Sequence, residues 1–204
     1  KSRLFSVSDC QAIVKKAIVE KMKEKYHLNW FAETGPRYKI EVALLSDIAT
    51  LTIDTSGWGL HKRGYRKLSS KAPLKETLAA AMINISRWKP DRAFIDPFCG
   101  SGTIPIEAAL IGRNIAPGIN RDFTSEKWPL ISKLVWENAR QEARDLIDRT
   151  QQLGITGYDI QKSALAVCKH NARLAGLKDA IAFKQQPFAK LDSKYEYGYL
   201  ITNP

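Results

Sequence analysis

A carboxylate followed by two closely spaced glycines is the feature of this sequence with the most chemical content. Asp96 ends an apolar run at 93–95, and Gly100 and Gly102 precede a helical pattern at 103–111. Glycines between a strand and a helix let the backbone approach a ligand, and free N–H groups at the helix start can bind a carboxylate. The carboxylate of Asp96 would repel a phosphate. The string therefore favours a zwitterionic ligand with an ammonium group, such as the methionine part of S-adenosylmethionine.

Two common nucleotide-binding patterns are disfavoured at this loop. A dinucleotide fingerprint requires a third glycine three residues after the second, and Pro105 stands at that position. A phosphate-binding loop requires Gly-Lys-Ser/Thr, which this segment lacks. A nicotinamide-dependent oxidoreductase is therefore disfavoured.

Polar residues also follow two other strand patterns. Asp159 follows the pattern at 155–158, where a carboxylate can accept both ribose hydroxyls of an adenosine. The alternative is that Asp159 caps the helix that begins near Lys162; its pairing with the glycine loop favours the ribose role. Near the end of the chain, the amide oxygen of Asn203 can accept a hydrogen bond from an exocyclic amino group. Pro204 fixes the backbone so that its carbonyl can do the same.

Alternating helices and strands are predicted to position these residues. Helices are predicted at 74–87, 103–111, 130–153 and 162–174, strands at 93–95, 155–158, 181–184 and 199–202, and irregular structure at 113–128. Strands that alternate with helices imply a parallel sheet with right-handed crossovers.

A different arrangement is predicted before residue 60. Apolar residues at helical spacing from Ile13 to Met22 follow a possible N-cap at Ser6 or Ser8. Two alternating segments, 38–45 and 48–54, are separated by Ser46-Asp47 and predict a β-hairpin. The first part of the chain should therefore be a helix packed on a small antiparallel sheet.

The segment 56–73 is rich in glycine and basic residues and is predicted to be a linker. Trp58 and Tyr65 lie among its charges, and aromatic rings between basic residues suit stacking with nucleic acid bases. The candidate RNA contacts are Lys62, Arg63, Arg66 and Lys67. A solvated connection is the alternative.

The composition supports an anionic partner. The 204 residues carry a net charge of +11, which favours a polyanion and above all nucleic acid. No apolar run approaches the ~18 residues of a membrane-spanning helix. Three cysteines without a C-x-x-C pair, and three histidines without ligand spacing, disfavour a disulfide scaffold and a metal site and suit a reducing cytoplasm. Because the chain starts without Met and stops just after an apolar run, we expect it to be part of a longer protein.

Taken together, these motifs resemble the class I S-adenosylmethionine-dependent methyltransferases. More narrowly, they are similar to the THUMP-containing RNA guanine-N2 methyltransferases, which include bacterial 23S ribosomal RNA enzymes. The resemblance rests on the loop at 96–103, on Asn203-Pro204 as the start of an Asn-Pro-Pro-Tyr motif, and on the segments 60–66 and 71–79. Residues 1–55 resemble the later part of a THUMP domain less distinctively.

The resemblance implies an α/β fold: a Rossmann-like class I methyltransferase domain with a mostly parallel sheet, incomplete at its C-terminus, after part of a small α/β THUMP-like module. The implied boundaries are 1–55 for the THUMP part, 56–73 for the basic linker and 74–204 for the methyltransferase domain. The implied reaction is methyl transfer from S-adenosyl-L-methionine to guanine N2 in 23S ribosomal RNA, in the cytoplasm and without a metal.

The resemblance also assigns residues. Asn203 and Pro204 would hold the target amino group in line with the methyl group. The cofactor would contact Ala72, Pro73, Leu74, Asp96, Phe98, Gly100, Ser101, Gly102, Thr103 and Asp159. The family usually carries an acidic residue after the third strand, whereas this chain reads Lys-Gln-Gln-Pro-Phe at 184–188; Phe188 or a glutamine would contact the adenine instead.

Three other functions stay open at this point. Asn-Pro-Pro-Tyr motifs also serve the amino group of adenine, so an adenine-N6 methyltransferase acting on DNA or RNA is one alternative. Transfer RNA is an alternative substrate. A non-catalytic RNA-binding module is an alternative of a different class.

Overall fold

The structure is a computed structural model that describes residues 2–67, 73–193 and 195–204. The chain divides into two compact units. The N-terminal unit comprises Lys1–Gly57 and Phe123–Ile131, and the C-terminal unit comprises Trp58–Asp122 and Ser132–Pro204. The boundaries predicted at 55/56 and 73/74 stay a prediction; the compact units differ from them by grouping 123–131 with the N-terminal residues.

The N-terminal unit contains the predicted helix and hairpin. Helix α1 spans Val7–Tyr26 and begins after Ser6, whose hydroxyl accepts the Asp9 N–H at 3.4 Å, so Ser6 rather than Ser8 is the N-cap. Strands β1 (Lys39–Leu45) and β2 (Ile48–Asp54) form the antiparallel hairpin.

The segment 123–131 completes this unit. It contains a 3-10 helix at Thr124–Lys127, within a stretch that the sequence predicted to be irregular. The Trp128 ring stacks on Tyr38 with centroids 4.7 Å apart, and its indole N–H donates to the Arg37 carbonyl at 3.0 Å. These contacts explain why the segment 123–131 belongs to the same unit as residues 1–57, although the two are far apart in sequence.

The C-terminal unit has a four-stranded sheet with every neighbouring pair parallel, in the order β5-β4-β3-β6. Its elements are α2 (Glu76–Ser86), β3 (Ala93–Asp96), α3 (Thr103–Gly112), α4 (Lys133–Asp145), β4 (Ile155–Asp159), α5 (Lys162–Leu174), β5 (Ile181–Gln185), a 3-10 helix (Phe188–Lys190) and β6 (Gly198–Leu200). The predicted mostly parallel α/β fold is confirmed.

The strand order fixes where a ligand can bind. From β3 the chain moves outward to β4 and β5, and then returns to place β6 on the other side of β3. The strand order therefore reverses at β3, and in open α/β sheets ligands bind at such a point, beside the carboxyl ends of the strands.

The core surrounds β3, which explains the short apolar strand. Phe94 is fully buried and meets the Trp88 ring edge-on, with centroids 5.3 Å apart. Ile83 from α2 and Ile106 from α3 are also buried in this cluster. Because α3 is buried along nearly its whole length, the loop that precedes it rests on a packed support.

Helix α4 is much shorter than the predicted helix at 130–153. It begins after Ser132, whose hydroxyl accepts the Leu134 N–H at 3.3 Å. At its other end, the Asp148 carboxylate accepts the N–H groups of Thr150 and Gln151 at 2.9 and 3.0 Å. This local turn competes with helical hydrogen bonds, so the helix ends before the amphipathic pattern of the sequence does.

Within the part of the chain that the structure describes, no helix is both long and apolar enough to cross a membrane. Over the same residues, no three His, Cys, Asp or Glu side chains are grouped so that they could hold a metal ion.

Candidate active site

The two glycines of the loop after β3 have different roles. Both have positive φ, +51° at Gly100 and +84° at Gly102, which favours glycine over any residue with a Cβ. A Cβ at Gly100 would point into open space, so this position leaves room for a ligand. A Cβ at Gly102 would lie 3.3 Å from Cα, Cβ and Sγ of Cys168, so Gly102 permits close packing on α5.

Helix α5 holds this loop through two buried side chains. The Cys168 thiol donates to the Gly100 carbonyl at 2.9 Å, and the Asn171 amide donates to the Ser101 carbonyl at 3.1 Å. Asn171 was not singled out in the sequence analysis. A polar residue on the buried face of a helical pattern was the signal that could have identified it.

Asp159, at the end of β4, is joined directly to the glycine loop. One carboxylate oxygen accepts the Gly100 N–H at 3.1 Å, and the other accepts the Gln161 N–H at 2.8 Å. The N-cap of α5 is Gln161, not Asp159. A carboxylate offers about four acceptor positions, so Asp159 can still accept hydrogen bonds from a ligand.

Asp96 is the last residue of β3, which lies between β4 and β6, and it is only 1% exposed. The same carboxylate oxygen accepts the Phe98 N–H at 3.1 Å and the Thr202 hydroxyl at 2.7 Å. Burial, with a smaller contribution from the nearby charge of Asp159, raises the pKa of Asp96 to about 6 against the lowering effect of these two hydrogen bonds.

The Thr202 hydroxyl ties the end of the chain to Asp96. Parallel pairing continues one residue past β6, where the Ile201 N–H donates to the Ile95 carbonyl at 3.0 Å. Asn203 and Pro204 follow directly and are exposed. The structure thus brings Asp96 and the segment next to Asn203 to the same end of the parallel sheet. The sequence did not indicate that the Thr202 hydroxyl would join them.

An apolar rim borders the same edge. The rings of Phe98 and Phe188, which follow β3 and β5, have centroids 5.2 Å apart. Ile160, directly after Asp159, is exposed and was not predicted. The side-chain amide of Gln186 donates to the Lys190 carbonyl, which leaves Phe188 as the stronger candidate for an adenine contact.

A buried ion pair supports the loop from the other side. Arg66 Nε lies 3.2 Å from the Glu76 carboxylate, and its Nη2 donates to the Thr103 hydroxyl and the Leu74 carbonyl, each at 2.7 Å. Arg66 therefore joins the start of α3 to the segment that leads into α2. Pro73 and Leu74 are half-buried there, whereas Ala72 lies outside the described residues.

A second buried group lies one helical turn further along α3. The Glu107 carboxylate accepts the Tyr65 hydroxyl at 2.9 Å and pairs with Arg63 at 3.3 Å. Burial raises the pKa of both Tyr65 and Glu107 above their ordinary values. The bonds to Arg63 and Tyr65 compensate the burial of the Glu107 carboxylate.

The four predicted RNA contacts differ in how accessible their side chains are. Those of Arg63 and Arg66 are only 11% and 13% exposed and pair with Glu107 and Glu76, so their guanidinium groups hold parts of the fold together. Lys62 and Lys67 are exposed. RNA contact by any of the four residues stays a prediction.

Comparison with known families gives two matches. Residues 63–204 match the UPF0020 family, described as "RMKL-like, methyltransferase domain", and residues 1–54 match the THUMP domain. The chain is 53% identical to "Putative RNA methyltransferase YpsC" of Bacillus subtilis (strain 168), covering all of this chain and 54% of that protein. It is 36% identical to "Ribosomal RNA large subunit methyltransferase K/L" of Shewanella baltica (strain OS185), covering 94% of this chain and 28% of that protein.

Solved structures agree in fold. A "predicted N6-adenine-specific DNA methylase" from Listeria monocytogenes str. 4b F2365 superposes with a TM-score of 0.95 at 56% identity, covering 98% of this chain and 53% of that one. SMU.472, complexed with SAH, superposes with a TM-score of 0.93 at 44% identity, covering 100% and 54%. The chain spans about half the length of these solved structures and of the Bacillus relative.

Proposed function

We propose, from the premise that this chain belongs to the RMKL-like methyltransferase family and carries a THUMP domain, that it methylates an exocyclic amino group of a base in RNA. S-adenosyl-L-methionine would supply an electrophilic methyl group at the sheet edge. The observation that carries the proposal is the convergence of three strand ends, through the bonds Gly100–Asp159 and Asp96–Thr202.

The residues of this edge fit the cofactor. Gly100 leaves space beside the backbone, and the start of α3 offers N–H groups to a carboxylate. The buried Asp96 favours a nearby ammonium group, and Asp159 has acceptor positions for ribose hydroxyls. That SMU.472 is complexed with SAH supports this assignment.

The adenine ring would lie against the apolar rim formed by Ile160 and Phe188. Both side chains are exposed at the ends of neighbouring strands, next to Asp159. A flat ring can pack on these apolar side chains without a carboxylate to accept a hydrogen bond from its amino group. This explains how the chain would bind the cofactor despite the glutamines at 185–186.

The target base would lie beside Asn203. Its amide oxygen and the Pro204 carbonyl would accept the amino hydrogens and aim the nitrogen lone pair at the methyl group. Such a transfer depends mainly on holding the two reactants in line. The N–C bond would form as the S–C bond breaks, the sulfur would keep the electron pair of the broken bond, and the nitrogen would release one proton to solvent. Asn203 and Pro204 would orient the nucleophile. The base must be unpaired or leave its stack to reach this edge.

Guanine N2 in large-subunit ribosomal RNA is the substrate that we propose first. The THUMP match and the name of the Shewanella relative support large-subunit ribosomal RNA as the substrate. The choice of guanine N2 rests on the resemblance of the motifs at 96–103 and 203–204 to the guanine-N2 methyltransferases. An RNA of this kind is found in the cytoplasm, where three free cysteines are also expected. Adenine N6 is the second candidate, because the Listeria structure is named for an adenine-specific DNA methylase.

The decisive experiment uses RNA from cells that lack the protein. The full-length protein and isotopically labelled S-adenosylmethionine should place a methyl group on guanine N2 of 23S ribosomal RNA, identified by nucleoside mass spectrometry. Asn203→Ala should lose transfer while binding S-adenosylhomocysteine normally. Label on adenine, on transfer RNA or only on DNA would contradict the first substrate, and no label on any nucleic acid would contradict the enzyme assignment.

A further inference from the structure

Trp58 is a large apolar side chain at the surface of the C-terminal unit. It is 71% exposed, on a loop of the C-terminal unit, with the exposed Leu60 close in sequence. An indole ring contributes a large stabilisation when it is covered, so this ring offers apolar area to a partner. Nothing in the proposed cofactor or target site uses this side chain.

Hydrogen bonds from a buried arginine fix the backbone of the loop that carries Trp58. The guanidinium of Arg121, itself buried, donates to the carbonyls of Trp58, Gly59 and Lys62. The Lys62 N–H also donates to the Gly59 carbonyl at 2.9 Å, which closes a turn. A loop fixed in this way loses little conformational entropy when a ligand binds to it.

Arg121 is supported in turn by α4. Arg140 donates to the Arg121 carbonyl at 2.9 Å and to the Ile119 carbonyl at 3.0 Å. Arg63 contributes a further bond from the loop side, to the Leu60 carbonyl at 3.0 Å. Three arginines thus fix the backbone of the loop, while the ring of Trp58 stays exposed.

A cation lies directly against the exposed ring. The ammonium of Lys62 is 4.2 Å from the Trp58 ring centroid, within cation–π distance. A base can stack on such a ring while the ammonium pairs with a neighbouring phosphate, which is the combination that single-stranded nucleic acids require. By contrast, Tyr65 is 3% exposed and bonded to Glu107, so it cannot stack.

From these observations we infer that Trp58 and Lys62 form a stacking site for one unpaired nucleotide of the RNA substrate. The inference rests on the proposed function and adds a contact to it. The net charge of +11 makes an anionic strand the fitting occupant. An acidic peptide or a second copy of the chain would not need a flat ring with a cation above it.

The test measures binding of the full-length protein to a fluorescently labelled single-stranded 15-nucleotide RNA by anisotropy, at several salt concentrations. Trp58→Ala should weaken binding about fivefold to a hundredfold, the range for loss of one stacked base. Trp58→Phe, which keeps a ring, should stay within about threefold of the native chain. Ile85→Ala, at another exposed apolar residue, is the matched control and should bind normally.

Salt dependence separates the two side chains. Lys62→Ala should reduce the slope of log K against log salt by about 0.7, the value for one phosphate contact on a single strand. Trp58→Ala should leave that slope unchanged. Lys178→Ala, at an exposed lysine of the α5–β5 connection, controls for a general loss of charge.

The outcomes distinguish this inference from the proposed function. Native affinity in Trp58→Ala, or equal losses in Trp58→Phe and Trp58→Ala, would refute stacking alone. A change in sedimentation of Trp58→Ala with unchanged RNA affinity would assign the ring to a protein interface and also refute it. RNA binding without methyl transfer by the native full-length protein would refute the proposed function alone, and no RNA binding would refute both.

Discussion

Replacing Asp96 by asparagine is expected to stabilise the folded chain at neutral pH and to weaken cofactor binding at the same time. The carboxylate is 1% exposed, and burial raises its pKa from 3.8 to about 6. At pH 7 it is therefore ionised at a cost to the fold. Asparagine keeps an oxygen that can accept from Phe98 and Thr202, but it carries no charge to desolvate.

The direction follows from proton linkage. Because the folded chain holds this proton more tightly than the unfolded chain, the protonated group imposes no cost below pH 3.8. Stability then falls as the pH rises towards 6, and stays at the lower value above it. A difference of about two pKa units corresponds to roughly 3 kcal/mol. We expect Asp96→Asn to recover about 1–3 kcal/mol at pH 7 and much less at pH 4.

Urea unfolding of the full-length protein at pH 7 and pH 4 measures this gain, and calorimetry with S-adenosylhomocysteine measures the binding loss. Asp148→Asn is the matched control, because hydrogen bonds from Thr150 lower the pKa of Asp148 and make its ionised form favourable. That control should show no gain at pH 7. If Asp96→Asn is less stable than the native chain at pH 7, or if its effect is the same at both pH values, the ionised Asp96 carboxylate does not destabilise the fold.

Three further changes test other parts of the site. Asp159→Ala should weaken S-adenosylhomocysteine binding about tenfold or more by calorimetry, because hydrogen bonds to a charged acceptor are lost. Asn171→Ala should lower stability by about 1–3 kcal/mol in urea unfolding and also weaken that binding, since it leaves the buried Ser101 carbonyl without its donor. Arg66→Ala should cost roughly 3–5 kcal/mol by stranding Glu76, whereas Lys67→Ala should change stability by less than about 0.5 kcal/mol; equal effects would contradict the buried ion pair.

The sequence was sufficient for the parts of the fold that depend on local pattern. The strand–loop–helix unit around Asp96 and the helix at 162–174 follow directly from apolar spacing and glycine positions. The predicted helix at 130–153 was wrong in length because the amphipathic pattern continues past Asp145, while Asp148 forms a turn. Propensity over a window could not reveal that one carboxylate would take two backbone N–H groups.

The sequence could not predict which residues of the basic segment are buried. Lys62, Arg63, Arg66 and Lys67 look alike there, and the position of Glu76 and Glu107 in the folded chain separates the two arginines from the two exposed lysines. Similarly, Thr202 gained its role only from its bond to Asp96. Contacts between side chains that are far apart in sequence depend on the strand order. Local sequence patterns do not specify that order.

The strand order also explains why Asp96 matters to both halves of the proposed reaction. Residues that would bind the cofactor follow β3 and β4, whereas Asn203 follows β6 on the opposite side of β3. Asp96 ends the shared strand; it accepts the Thr202 hydroxyl on one side, and the charge of Asp159 raises its pKa from the other. A bound ammonium group would favour ionised Asp96, which is the stronger acceptor for Thr202. Cofactor binding should therefore strengthen the hydrogen bond that holds the end of β6, next to Asn203. Thr202→Val removes this bond, so it should reduce methyl transfer more than it reduces cofactor affinity.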